Sequence, residues 1–231
     1  MEIKKAPHLL NNLILAAPAF LFYQIGLLVS PKATNGVDPF THELGYLFGL
    51  SWQRYLLIMI ALIVIYSVAL KILSRKGRFD PHTFPWLLME SGIYALIMGP
   101  TAHLFLRKLH VLSVNVVKDM GIFDRLVASA GAGFYEELVF RLLILSALGS
   151  FFVSRGMKRF LAYATATVVS AFAFSAIHYI GAIADPFDMA SFLYRALLGI
   201  MLGAIFIFRG FAPAVYTHAL YDAYVMCVLC A

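Results

Sequence analysis

Residues 131–148 read GAGFYEELVFRLLILSAL. Two adjacent acids, Glu136 and Glu137, interrupt an otherwise apolar run, and Arg141 follows one helical turn later. A charged side chain at bilayer depth costs about 2.5–3.5 kcal/mol on insertion scales. Three such groups so close together require partners, a hydrated cavity or a chemical task.

The rest of the chain puts this run in a membrane. Of 231 residues, 62% are hydrophobic and 13% are charged, and the mean hydropathy is +0.85. A soluble domain carries about one quarter charged residues. The composition therefore predicts an all-α, polytopic helical bundle, organised as a single membrane domain over 1–231. The net charge of +6 fits basic loops that set topology. No nucleic-acid motif accompanies it, and the lipid bilayer is the expected partner.

A spanning helix needs about 20 mostly apolar residues. Seven segments qualify as candidates: about 9–30, 54–73, 85–106, 123–150, 159–181, 190–208 and 211–230. Asn11 and Asn12 weaken the first, which is expected to be retained rather than removed as a signal peptide. Pro100 predicts a kink in the third. In the same segment Glu90 is either part of a specificity region or a buried partner for a neighbouring base. Residues 107–122 read as an interfacial lead-in to the fourth. Gly199 and Gly203 form a G-x-x-x-G, a spacing that lets helices approach closely. Cys227 and Cys230 lie in the last apolar segment and read as packing residues.

With the N-terminus inside, ten Lys and Arg flank the inner helix ends and six the outer, the clusters at 71–78 and 155–159 carrying the bias. The last candidate helix then ends outside.

Three polar constellations stand out on separate helices. Glu137 and Arg141 are spaced i,i+4 and share a helix face. Glu136 is turned about 100° from its neighbour on an α-helix. One acid is then neutralised by the arginine while the other is left to work. Phe174-x-x-x-His178 closes the fifth candidate helix, and His218-x-x-x-Asp222 lies on the seventh. Hydrolysis of an amide needs a base for water, a donor for the developing oxyanion and an acid for the leaving amine. Carboxylates and imidazoles from three helices supply that inventory. His and Glu are also zinc ligands, although no H-E-x-x-H is present.

The ordered set resembles the signature of the CPBP family, E-E-x-x-x-R, F-x-x-x-H and H-x-x-x-N. That family covers the type II CAAX prenyl proteases and the bacterial Abi-type intramembrane proteases. Here the motifs stand at Glu136-Glu137-Leu138-Val139-Phe140-Arg141, Phe174-Ser175-Ala176-Ile177-His178 and His218-Ala219-Leu220-Tyr221-Asp222. The resemblance spans about 124–226, a catalytic core to which 1–123 would be accessory.

It implies a glutamic-type intramembrane endopeptidase acting on a membrane-associated protein or peptide, in a bacterial inner membrane. Glu136 with His178 would activate water, and His218 with residue 222 would stabilise the oxyanion. Glu137, Arg141 and Phe174 would support the site. Asp222 departs from the family's Asn: an ionised Asp accepts hydrogen bonds and cannot donate to an oxyanion. Either a protonated Asp222 donates, or Asp222 orients His218. No cofactor is implied. The alternatives are a metal-dependent protease and a non-proteolytic immunity or binding protein on the same scaffold; a proton-coupled transporter would need an inverted repeat that the sequence lacks.

Overall fold

A computed structural model describes residues 9–30, 33, 52–74, 82–106, 120–180 and 185–229. Among them are seven helices and no strand. They are α1 (Leu9–Val29), α2 (Trp52–Ser74), α3 (Thr83–Leu106), α4 (Ile122–Ser154), α5 (Arg159–Ile177), α6 (Met189–Arg209) and α7 (Phe211–Tyr224, followed by a π turn at Val225–Leu229). The seven fall where the apolar segments predict them. Four of them, α1, α4, α5 and α6, are long and apolar enough to cross a membrane. The lead-in expected at 107–122 lies almost wholly outside the described residues.

Polar contacts fix which helix ends lie together. Asn12 of α1 accepts a hydrogen bond from the Ala212 backbone N–H at the start of α7, at 2.9 Å. Glu90 of α3 pairs with Arg209 at the end of α6, at 2.5 and 2.7 Å. At the other end of the bundle, Ser30 donates to Asp124 beside the start of α4. Arg125 donates to the Met226 carbonyl, at 2.6 Å, near the end of α7. A cation at a helix C-terminus meets the unpaired carbonyls there. α1, α3 and α7 therefore run one way through the bundle and α4 and α6 the other.

The core has two parts. The larger joins α1 (Leu13, Ala16, Phe20, Tyr23), α4 (Val127, Phe134, Tyr135) and α7 (Phe211, Val215, Tyr216). The smaller joins α3 (Ala95, Met98), α6 (Leu198, Leu202) and α7 (Tyr221). α7 belongs to both and is the hub; α5 packs between α4 and α6. α1, expected to be accessory, lies directly against the helices that carry the acids and His218. The outward faces keep large apolar groups, among them Leu57, Ile60, Val64 and Val68 of α2 and Val168, Val169 and Phe172 of α5. Lipid covers such surfaces without cost.

Small residues set two close approaches. A Cβ on Gly133 would stand 2.6 Å from the Val215 carbonyl oxygen and 2.7 Å from the Ala219 Cβ. α4 therefore meets the α7 backbone on either side of His218. Gly199 and Gly203 lie against Ala171, Phe174 and Thr167 of α5, the packing role the G-x-x-x-G predicts. Between α6 and α7 the chain turns on Gly210 alone. Its φ of +104° lies in the region that glycine occupies without steric penalty.

Candidate active site

The acid pair does not sit on a plain α-helix. Residues Ala132–Glu136 and Leu138–Leu145 form π-helical stretches on either side of Glu137. A π-helix bonds i to i+5 and has more residues per turn, so successive side chains are turned by less than in an α-helix. The expected divergence of Glu136 from Glu137 is accordingly reduced. Both acids reach one imidazole, that of His218. The wider turn also lets carbonyls accept from neighbours: Ser170 of α5 donates to the Phe140 carbonyl at 2.5 Å. Nothing in the residue pattern signals this wider winding, because apolar positions at these spacings serve either helix.

Glu137 is fully buried and serves two partners. Its Oε1 is 2.8 Å from His218 Nδ1, and its Oε2 is 3.1 Å from Arg141 Nε. Arg141 is 1% exposed. Its Nη2 donates to the Gly199 carbonyl at 3.3 Å, and its guanidinium lies 4.5 Å above the Phe174 ring. Arg141 thus ties α4, α5 and α6 together while it fixes the Glu137 carboxylate.

The other face of His218 meets two further acids. Nε2 is 3.5 Å from Asp222 Oδ2 and 3.7 Å from Glu136 Oε2. Ionised carboxylates only accept hydrogen bonds. An imidazole flanked by acceptors at both nitrogens is suited to carry protons on both.

His178 joins through Phe174. Its ring is 5.2 Å from the Phe174 ring, which in turn is 5.8 Å from that of His218. Its Nδ1 is 2.9 Å from the Phe174 carbonyl oxygen. A carbonyl can only accept, so Nδ1 carries the proton, and in the neutral ring Nε2 keeps its lone pair.

The seven residues singled out from the sequence thus gather around Phe174 and His218. Glu136, Glu137, Arg141, Phe174 and His218 are buried; Asp222 and His178 are partly open. The Asp222 side chain is 22% exposed and that of Asp185, near the end of α5, is 45% exposed. Access therefore opens toward the end where α5 stops and α6 begins. Among the described residues, no three His, Cys, Asp or Glu side chains converge as metal ligands would.

Sequence reading missed two pairs at that opening. The Tyr194 and Tyr221 hydroxyls are 2.5 Å apart, and Arg195 donates to Asp185 at 2.6 Å. Tyrosines in an apolar helix carry no distinguishing pattern. Arg195 could have been found by the argument that singled out Arg141, since it too is a charge within an apolar span.

Residues 119–224 match the family described as Type II CAAX prenyl endopeptidase Rce1-like. No curated protein and no solved structure matches the chain. The matched interval contains every residue of the cluster. That family is one of membrane proteases, and the four helices long and apolar enough to cross a membrane agree with an integral membrane protein. The match over residues 119–224 is consistent with the CPBP/CAAX protease family that the three motifs resemble.

Proposed function

We propose that the chain is a glutamic-type intramembrane endopeptidase in which Glu136 activates water. The observation that carries this reading is the division of labour between the acids. Glu137 holds Arg141 and the Nδ1 side of His218, whereas Glu136 lies on the Nε2 side, at 3.7 Å, together with Asp222 at 3.5 Å.

Water held near Glu136 gives one proton to that carboxylate, and its oxygen attacks the scissile carbonyl carbon. The free Nε2 of His178 accepts the second water hydrogen as a hydrogen bond and so orients the nucleophile. The tetrahedral oxyanion forms beside His218, whose Nε2–H donates to it. The C–N bond then breaks, and Glu136 returns its proton to the departing amine. Glu137 positions His218, Arg141 positions Glu137, and Asp222 orients the imidazole from its other side. Phe174 sets the spacing of the two imidazoles.

The catalytic core spans about 124–226, within a single membrane domain. Substrate enters at the α5–α6 end, near the membrane surface. The distribution of Lys and Arg puts that end outside the cell, which suits a bacterial inner-membrane enzyme acting on exported or surface-bound proteins.

The test is cleavage in proteoliposomes that hold the full chain and a membrane-protein fraction, with new termini mapped by mass spectrometry. Wild type should generate new termini. Glu136→Gln should generate none while unfolding at a similar temperature. Cleavage retained by Glu136→Gln sinks the glutamate mechanism.

A further inference from the structure

Arg195 is a charge within an apolar span that the proposed mechanism does not use. It lies in the second turn of α6, four residues before Gly199, and so shares a helix face with the residue whose carbonyl holds Arg141. Its guanidinium is 5.4 Å from the Tyr179 ring. Nη2 donates to Asp185 at 2.6 Å, and the Asp185 backbone N–H in turn donates to the His178 carbonyl at 2.9 Å. Arg195 is also within electrostatic range of Asp222. These contacts place it at the opening of the cluster, beside His178 and across from α7.

One nitrogen of this guanidinium is unused. Nη1 is buried and has no hydrogen-bond partner. A buried donor left unmade costs about 1–3 kcal/mol, more when charged, and native structures keep few of them. Asp185 and the Tyr179 ring hold the side chain in place, so the open donor is presented in a fixed direction. A guanidinium with free N–H groups matches a carboxylate.

We infer that Arg195 is a specificity residue that receives a carboxylate of the bound peptide at the mouth of the site. The carboxylate comes either from the free C-terminus of the substrate or from an acidic side chain near it; both present the same two acceptor oxygens. Arg195 would then set how far from that carboxylate the scissile bond lies. This inference rests on the proteolytic reading of the same cavity, and its test is a binding measurement that needs no turnover.

The full chain carrying Glu136→Gln is reconstituted and exposed to a prenylated pentapeptide bearing a benzophenone, and crosslinking yield is followed against peptide concentration. Three probes are compared: one with a free C-terminal carboxylate, its C-terminal amide, and the amide with an added Asp. The free acid should half-saturate at about tenfold lower concentration than the amide, the scale of a hydrogen bond to a charged group. If the added Asp restores binding, an acidic side chain can serve as the source; if not, the terminal carboxylate is required.

Arg195→Gln should remove the preference for carboxylate. Arg195→Lys, which keeps the charge on a different geometry, should keep part of it and guards against a folding defect in the Gln variant. Equal half-saturation by acid and amides, no measurable binding of any probe, or a preference that survives Arg195→Gln overturns the proposal. Failure of the glutamate mechanism would appear separately, as cleavage that persists in Glu136→Gln.

Discussion

Glu137 Oε1 lies 2.8 Å from His218 Nδ1, joining positions 81 residues apart in sequence. The contact exists because Gly133 lets α4 come against the α7 backbone at Val215 and Ala219. The same carboxylate holds Arg141, so helix packing and imidazole orientation depend on one side chain. A buried charge network of this kind is worth little as net stability but specifies a geometry. Here the geometry turns Nε2 of His218 toward Glu136 and Asp222.

Removing one member of the Glu137–Arg141 pair leaves the other charged and buried, which costs about 3–5 kcal/mol. Glu137→Leu should therefore unfold far more readily than wild type in a detergent thermal melt. The double variant Glu137→Leu with Arg141→Met should recover much of that stability, because apolar replacements satisfy both sides. It should not recover cleavage, because His218 loses the acceptor at Nδ1. Recovery of both would show that the pair serves packing alone.

Gly133→Ala tests the close approach directly. The added methyl would stand 2.6 Å from a backbone oxygen, which cannot rotate away as a side chain does. Overpacking costs about 1–3 kcal/mol, and the strain falls on the seam that holds Glu136 and Glu137 against His218. The variant should lose more in kcat than in stability measured by thermal unfolding. Gly92, where an added Cβ would meet nothing within 4 Å, is the control: Gly92→Ala should leave both unchanged.

The helices and the chemical groups were legible in the sequence for different reasons. Apolar segments of spanning length announce helices because membrane insertion demands them, and the boundaries at 9, 159 and 211 recur in α1, α5 and α7. Glu136, Glu137 and Arg141 were legible because each is expensive to bury without a partner. The π winding was not, since it changes the angle between neighbours without changing which residues are apolar. It turns an expected division of faces into a shared approach to His218. By polarity alone Asn12 weakens the first span. In the fold it is buried against the start of α7, where an unpaired backbone N–H needs an acceptor. Glu90 does partner a base, Arg209, but the pair is partly exposed rather than buried as expected, because Arg209 stands at the end of α6.

Asn12 thus acts as a capping side chain supplied by another helix. Asn12→Ala would leave the Ala212 N–H without its acceptor at a buried helix start. Loss of a capping oxygen costs about 0.5–2 kcal/mol, and the thermal midpoint should fall accordingly. Because this contact lies at the α6–α7 turn, kcat measured well below the midpoint should stay near wild type. Asn12→Asp, which keeps an acceptor, should lose less stability than Asn12→Ala.

Asp222 separates the two roles its position allows. If it only orients His218 from 3.5 Å, Asp222→Asn keeps a side-chain oxygen toward Nε2 and gains an N–H that can donate to the oxyanion. Cleavage by Asp222→Asn should then remain within about tenfold of wild type, while Asp222→Leu, which offers neither acceptor nor donor, should lose about 10²-fold in kcat, the scale of one missing oxyanion contact. A protonated Asp222 acting as the donor predicts the same result for Leu but a different pH profile. Wild-type activity would fall as Asp222 ionises, and Asp222→Asn would lack that descending limb. Comparing the two pH–kcat curves on one reporter peptide decides between orientation and donation.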